Sequence, residues 1–138
     1  MNREMFVNYI KKGRFDEAYD VMGDMNTKEI ESILMRIGDE EQDLSVYTFV
    51  VSLLLKEEKV EYHLIAANIM EILFNYEEGA YKMACYHMKR ATQLAPNDLE
   101  LKKALLDYGK EPDRVLDDEE VSTLKQEIER IQAGLVKA

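Results

Sequence analysis

The 138-residue chain is 46% hydrophobic and 33% charged, with 18 basic against 28 acidic side chains and a single cysteine. This composition suits one domain folded on its own core and argues against disorder, while a net charge of −10 argues against nucleic-acid binding, which needs clustered Lys and Arg. No apolar run is long enough to cross a bilayer, Met1-Asn2-Arg3-Glu4 leads into no signal core, and one cysteine makes neither an internal disulfide nor a cysteine-based metal site; the expectation is a cytoplasmic protein.

From the N-terminus, Met5, Phe6, Tyr9 and Ile10 share one face of an amphipathic helix, and Lys11-Lys12-Gly13 reads as its basic last turn and glycine stop. A second helix is expected from about Phe15 to Met25, with Phe15, Ala18, Tyr19 and Met22 inward. Asn26 or Thr27 caps a third, whose stripe is Ile30, Ile33, Leu34 and Ile37 and whose end is Gly38. The segment Leu44–Leu55 has β-branched and aromatic residues that suit a strand. Its length, its helical flanks and the lack of a pairing strand favour a central helix, buried nearly all round.

Val60–Asn75 gives a fifth helix, and Gly79–Leu94 a sixth, stopped by Pro96. Asp98 caps a seventh, with Leu101, Ala104, Leu105 and Tyr108 as its stripe and Gly109 and Pro112 at its end. Asp117-Asp118-Glu119-Glu120 places acids at the positive end of a last helix, which continues through Val121, Leu124, Ile128, Ile131 and Leu135 at heptad-type spacing. About eight helices and no credible strand predict an all-α fold of antiparallel helices.

Two segments repeat one another. Gly13-Arg-Phe15-Asp-Glu-Ala18 and Gly79-Ala-Tyr81-Lys-Met-Ala84 both read Gly-x-aromatic-x-x-Ala. Glycine permits the turn, the aromatic packs under it, and alanine lets two helix axes approach. The second segment continues through Met88, Ala91, Leu94, Pro96 and Asn97, and this pattern resembles the second helix of a tetratricopeptide repeat. Lys102 departs from the family, which usually has a bulky apolar residue there. The resemblance implies one domain over 1–138, with hairpins at about 2–25, 27–56, 60–94 and 98–135 stacked as a short right-handed solenoid. The first helix of each pair would line a concave face that takes peptides or partner helices.

No Walker loop, dinucleotide fingerprint, zinc-ligand spacing or serine elbow is present. His63 and His87 meet if the fifth and sixth helices pack antiparallel, with Glu61 or Glu71 nearby; surface or interhelical polar roles are favoured over a metal site. Cys85 is expected as a small buried packing residue rather than a nucleophile. The pairs Glu40-Glu41, Glu57-Glu58 and Glu77-Glu78 fall at helix ends, where adjacent acids diverge. Most methionines sit at core spacings, and Met35 is the best exposed candidate. On the fifth helix, Glu61, Asn68, Glu71 and Asn75 form a polar line with Ile72 and Tyr76 alongside; the family resemblance implies that this line faces the groove, where asparagine amides can hold a peptide backbone.

The expected function is therefore a non-enzymatic protein-interaction module, with no cofactor, no metal, no nucleic acid and no membrane partner. The alternative is a dedicated inhibitor, such as an immunity protein, or a chaperone that sequesters one basic protein, which the acidic balance motivates. A monomer is favoured, with the last helix as a cap, over a dimer through residues 117–135, because two heptads are short for an independent coiled coil.

Overall fold

The computed structural model describes residues 2–134. Within them eight α-helices follow one another with no strand: α1 (Asn2–Lys11), α2 (Phe15–Met22), α3 (Thr27–Glu41), α4 (Ser45–Lys56), α5 (Val60–Asn68), α6 (Ala80–Leu94), α7 (Leu99–Leu106) and α8 (Asp118–Gln132). A π-helical turn, Ile69–Leu73, extends α5, and a 3-10 turn, Asp107–Gly109, extends α7. The expected all-α class and helix number are thus present; Leu135 lies outside the described residues.

Local chemistry starts several of these helices. Asn26 Oδ1 accepts the Glu29 amide at 2.9 Å, and Asp98 Oδ1 accepts the Leu101 amide at 3.1 Å. Asp117 and Glu120 form a reciprocal capping box at the head of α8. Each cap satisfies amides that the first helical turn leaves without partners.

Three boundaries differ from the sequence expectation. Helix α2 stops at Met22 because Gly23 adopts φ 52°, short of the expected Met25. Helix α3 runs past Gly38 to Glu41, and Gln42 supplies the left-handed cap. Gly38 is instead a buried interior residue, where a Cβ would lie 2.6 Å from Leu73 Cδ1 and 3.3 Å from Val46 Cγ2. Its missing side chain lets α3 approach α4 and the π-helical turn. The fifth helix breaks its α pattern at Ile69, where the Phe74 amide bonds back to the Ile69 carbonyl over five residues.

Helix α4 is also less enclosed than expected. Val46, Phe49, Val50 and Leu53 are buried at i, i+3, i+4 and i+7, whereas Leu55 is 84% exposed. One stripe, not the whole circumference, meets the core.

Packing runs between neighbours along the chain. Helices α1 and α2, α3 and α4, α5 and α6, and α7 and α8 pack as pairs, and α4 meets α5 as α6 meets α7. Helix α3 also touches α1 and α5. The two repeated segments occupy matching surroundings. Gly13 and Gly79 turn at φ 72° and 85°, and Ala18 and Ala84 are fully buried. Phe15 packs edge-on to Phe49 at 5.5 Å, and Tyr81 lies 4.6 Å from Tyr108, so each motif aromatic meets an aromatic of the following pair.

Candidate functional site

The first helices of consecutive pairs are joined by side-chain bridges. Arg3 of α1 reaches Glu29 of α3 at 3.5 Å. Asn68 of α5 donates to Glu31 of α3 at 2.7 Å. Tyr108, in the turn that extends α7, donates to Glu71 of the π-helical turn at 2.5 Å. Burial, the Glu71 bond and its negative charge all push the Tyr108 phenol upward, so it remains a donor at any ordinary pH.

Around these bridges lie the residues of the expected polar line. Glu61 is exposed and shares a face of α5 with the half-buried Asn68, seven residues on. Glu71 and Ile72 follow in the π-helical turn, and Ile72 is 60% exposed. The extra residue in that turn shifts the register, so the regular 7-3-4 spacing fails beyond Glu71. Asn75 lies exposed in the irregular segment that follows, off the helix. Tyr76, 62% exposed, donates its hydroxyl to Gln42 Oε1 at 3.0 Å. Three of the six residues, Asn68, Glu71 and the Tyr76 hydroxyl, therefore already have partners on other segments, and Ile72 and the Tyr76 ring supply the exposed apolar surface. Met35 is half-buried on α3, packed against the core rather than fully exposed.

A second cluster is buried between α4, α5 and α6. His63 and His87 do meet, with their Nδ1 atoms 2.9 Å apart. They are only 3% and 4% exposed. The carboxylate beside them is neither Glu61 nor Glu71 but Glu58, whose Oε2 lies 2.7 Å from His63 Nε2. Arg90 clamps the same carboxylate through Nε at 2.9 Å and Nη2 at 2.7 Å. On the far side, the Tyr47 hydroxyl is 2.7 Å from His87 Nε2. The result is one continuous chain of bonds, Tyr47–His87–His63–Glu58–Arg90, in which every polar side-chain atom has a partner.

Its electrostatics follow from position. Arg90 first, and then His63, hold the Glu58 carboxyl down to about 2. Burial, and then the neighbouring His63, lower His87 to about 4. Burial also raises the Tyr47 phenol, which makes it a hydrogen-bond donor rather than an activated nucleophile.

Glu58 and Tyr47 were missed as members of this cluster because neither shares a helix with a histidine. Glu58 sits in the α4–α5 link, five residues before His63, and reaches it locally across the start of α5. A cue did exist. An acid five residues before a histidine, across a helix start, can reach back over the first turn.

Cys85 is buried, and burial pushes its thiol upward. Of the acidic pairs, Glu41 binds Lys11 at 2.8 Å and Glu57 lies 3.5 Å from Lys59. Among the described residues, no group of three or more His, Cys, Asp and Glu is placed to hold a metal ion. A cleft of about 480 Å³ opens between α6, α7 and α8, and two lysines in it are paired with glutamates of α8: Lys89 with Glu120 at 2.6 Å and Lys102 with Glu127 at 3.0 Å. No protein-family model matches the chain, and no curated protein or solved structure is significantly similar to it.

Proposed function

We propose that this chain is a non-enzymatic protein-interaction module, a tetratricopeptide-like stack of four helical pairs that binds a peptide or partner helix along its first helices. The observation that carries the reading is the lacing of those helices to one another: Arg3 to Glu29, Asn68 to Glu31 and Tyr108 to Glu71. Such bridges hold neighbouring first helices side by side, which is what a continuous binding surface requires. The matching environments of the Gly13 and Gly79 turns support the repeat reading.

Within that surface, Ile72 and Tyr76 are the anchors. An exposed aliphatic and an exposed aromatic side chain beside carboxylates suit a short apolar segment with basic flanks. Asn68 and Glu71 set the geometry from their fixed bonds. The last helix acts as a cap in a monomeric protein, because Leu124 and Ile128 are buried against the chain itself.

Acidity favours one narrower reading, a dedicated inhibitor or chaperone for a basic protein. The net charge of −10, with Glu31, Glu61 and Glu71 along the proposed surface, would speed capture of a cationic partner. Association that weakens strongly with salt selects this version; salt-insensitive binding selects a general scaffold.

Panning a displayed random-peptide library against the full chain tests the proposal. Apolar peptides with basic flanks should be enriched, and the double variant Ile72→Ser/Tyr76→Ser should lose at least about tenfold in affinity for them with its thermal stability unchanged. Enrichment of the same peptides by the double variant, or no enrichment by the wild-type chain, contradicts it.

A further inference from the structure

His63 and His87 face each other through like atoms, and this fixes how many protons the pair can hold. Glu58 is a carboxylate and only accepts, so His63 Nε2 carries a proton toward it across 2.7 Å. In the neutral pair His63 Nδ1 is then an acceptor. His87 Nδ1–H donates to it across 2.9 Å, and His87 Nε2 accepts the Tyr47 hydroxyl proton across 2.7 Å.

One added proton fits without losing a bond. His63 becomes the cation and donates from both nitrogens, one to Glu58 and one to His87 Nδ1. His87 stays neutral but changes tautomer, and its Nε2–H now donates to the Tyr47 oxygen, whose own proton turns outward. A second added proton does not fit. Both Nδ1 atoms would carry hydrogens with no lone pair between them, and two cations would face each other where the residues are 3% and 4% exposed.

We propose that the His63–His87 pair is a proton-operated latch between α6 on one side and α4, the α4–α5 link and α5 on the other. It accepts a first proton while closed and is forced open by a second. The proposal does not depend on the partner-binding reading.

The titratable groups facing the pair are Tyr47 from α4, Glu58 from the link, and Tyr86 and Arg90 from α6. Only Glu58 is anionic near neutrality, and Arg90 already occupies both of its oxygens. Glu58 therefore supports one imidazolium on His63 and has nothing left for a second. The sign of the pH effect follows. His87 in the closed form titrates at about 4 against an ordinary 6.5, so the open form binds the proton more tightly. The closed latch is fully favoured above pH 6.5 and is lost progressively as pH falls toward 4. Glu58, held to about 2, keeps its charge throughout that window, so the opening belongs to the imidazoles.

Imidazole-nitrogen NMR and amide hydrogen exchange on the full chain, titrated from neutral to acid pH, decide the matter. The expected result is one hydrogen between the two Nδ1 atoms while the latch is closed, and loss of amide protection in α4 and α6 together with uptake of the second proton. In His87→Gln, whose amide cannot titrate, that loss should move about one pH unit lower. Two fully protonated imidazoles in a chain whose α4 and α6 amides stay protected would overturn the proposal. So would a His87→Gln chain that opens at the wild-type pH. If that variant does not fold, the wild-type titration alone distinguishes the two results.

Discussion

Lys102 is 7% exposed, and its ammonium bonds Glu127 of α8 at 3.0 Å. A charge placed there is taken out of water, and one carboxylate compensates it incompletely. Replacing the buried ammonium with apolar volume and removing only its carboxylate should therefore have opposite consequences. Lys102→Met, which keeps the length of the stem, is expected to leave stability within about 1 kcal/mol of the wild type or raise it. Glu127→Ala, which strands the ammonium, should cost about 2 kcal/mol in urea denaturation. Equal losses in the two variants would mean that the stem's packing, not the ion pair, decides the energetics at this position. The same position is where the tetratricopeptide resemblance fails, because a lysine stands where the pattern has a bulky apolar side chain. The long aliphatic stem fills that role while the head reaches Glu127.

At the level of elements, the tight contact between α3, α4 and the π-helical turn depends on Gly38. A side chain there must displace Leu73 and then Val46, which lie 2.6 and 3.3 Å from the Cβ position. Gly38→Val should lower stability by about 2 kcal/mol, measured by thermal or urea unfolding; a neutral or stabilising effect would show that the contact can relax. This glycine also shows what was legible in the sequence. A glycine after a hydrophobic stripe has the same spelling as a helix stop, and only the partner helix reveals that it marks a close approach. Polar caps were legible because their chemistry is local: Asn26 and Asp98 each bond an amide three residues on. The π-helical turn was not, since Ile69-Met70-Glu71-Ile72-Leu73 fits an α-helix equally well. Met70 within the turn and Phe74 just after it are both buried. The polar line on the fifth helix was accordingly readable as far as Glu71 and lost its register at Asn75. The histidine meeting was readable from helix pairing, whereas its acid lies in a link, where spacing alone does not show which way the side chain turns.

Across the whole molecule, two polar systems divide the labour. The inner one, Tyr47 through Arg90, spans α4, α5 and α6 with its two imidazoles buried. The outer one joins first helices to one another and leaves Ile72 and Tyr76 uncovered beside it. On the proposed function, stability belongs to the inside and recognition to one face. Hydrogen–deuterium exchange on the full chain, with and without a peptide enriched by the panning described above, is the most direct test of that assignment. Protection gained in α3, α5 and the Ile69–Leu73 turn is the predicted result; protection confined to α2, α6 or α8 would contradict it.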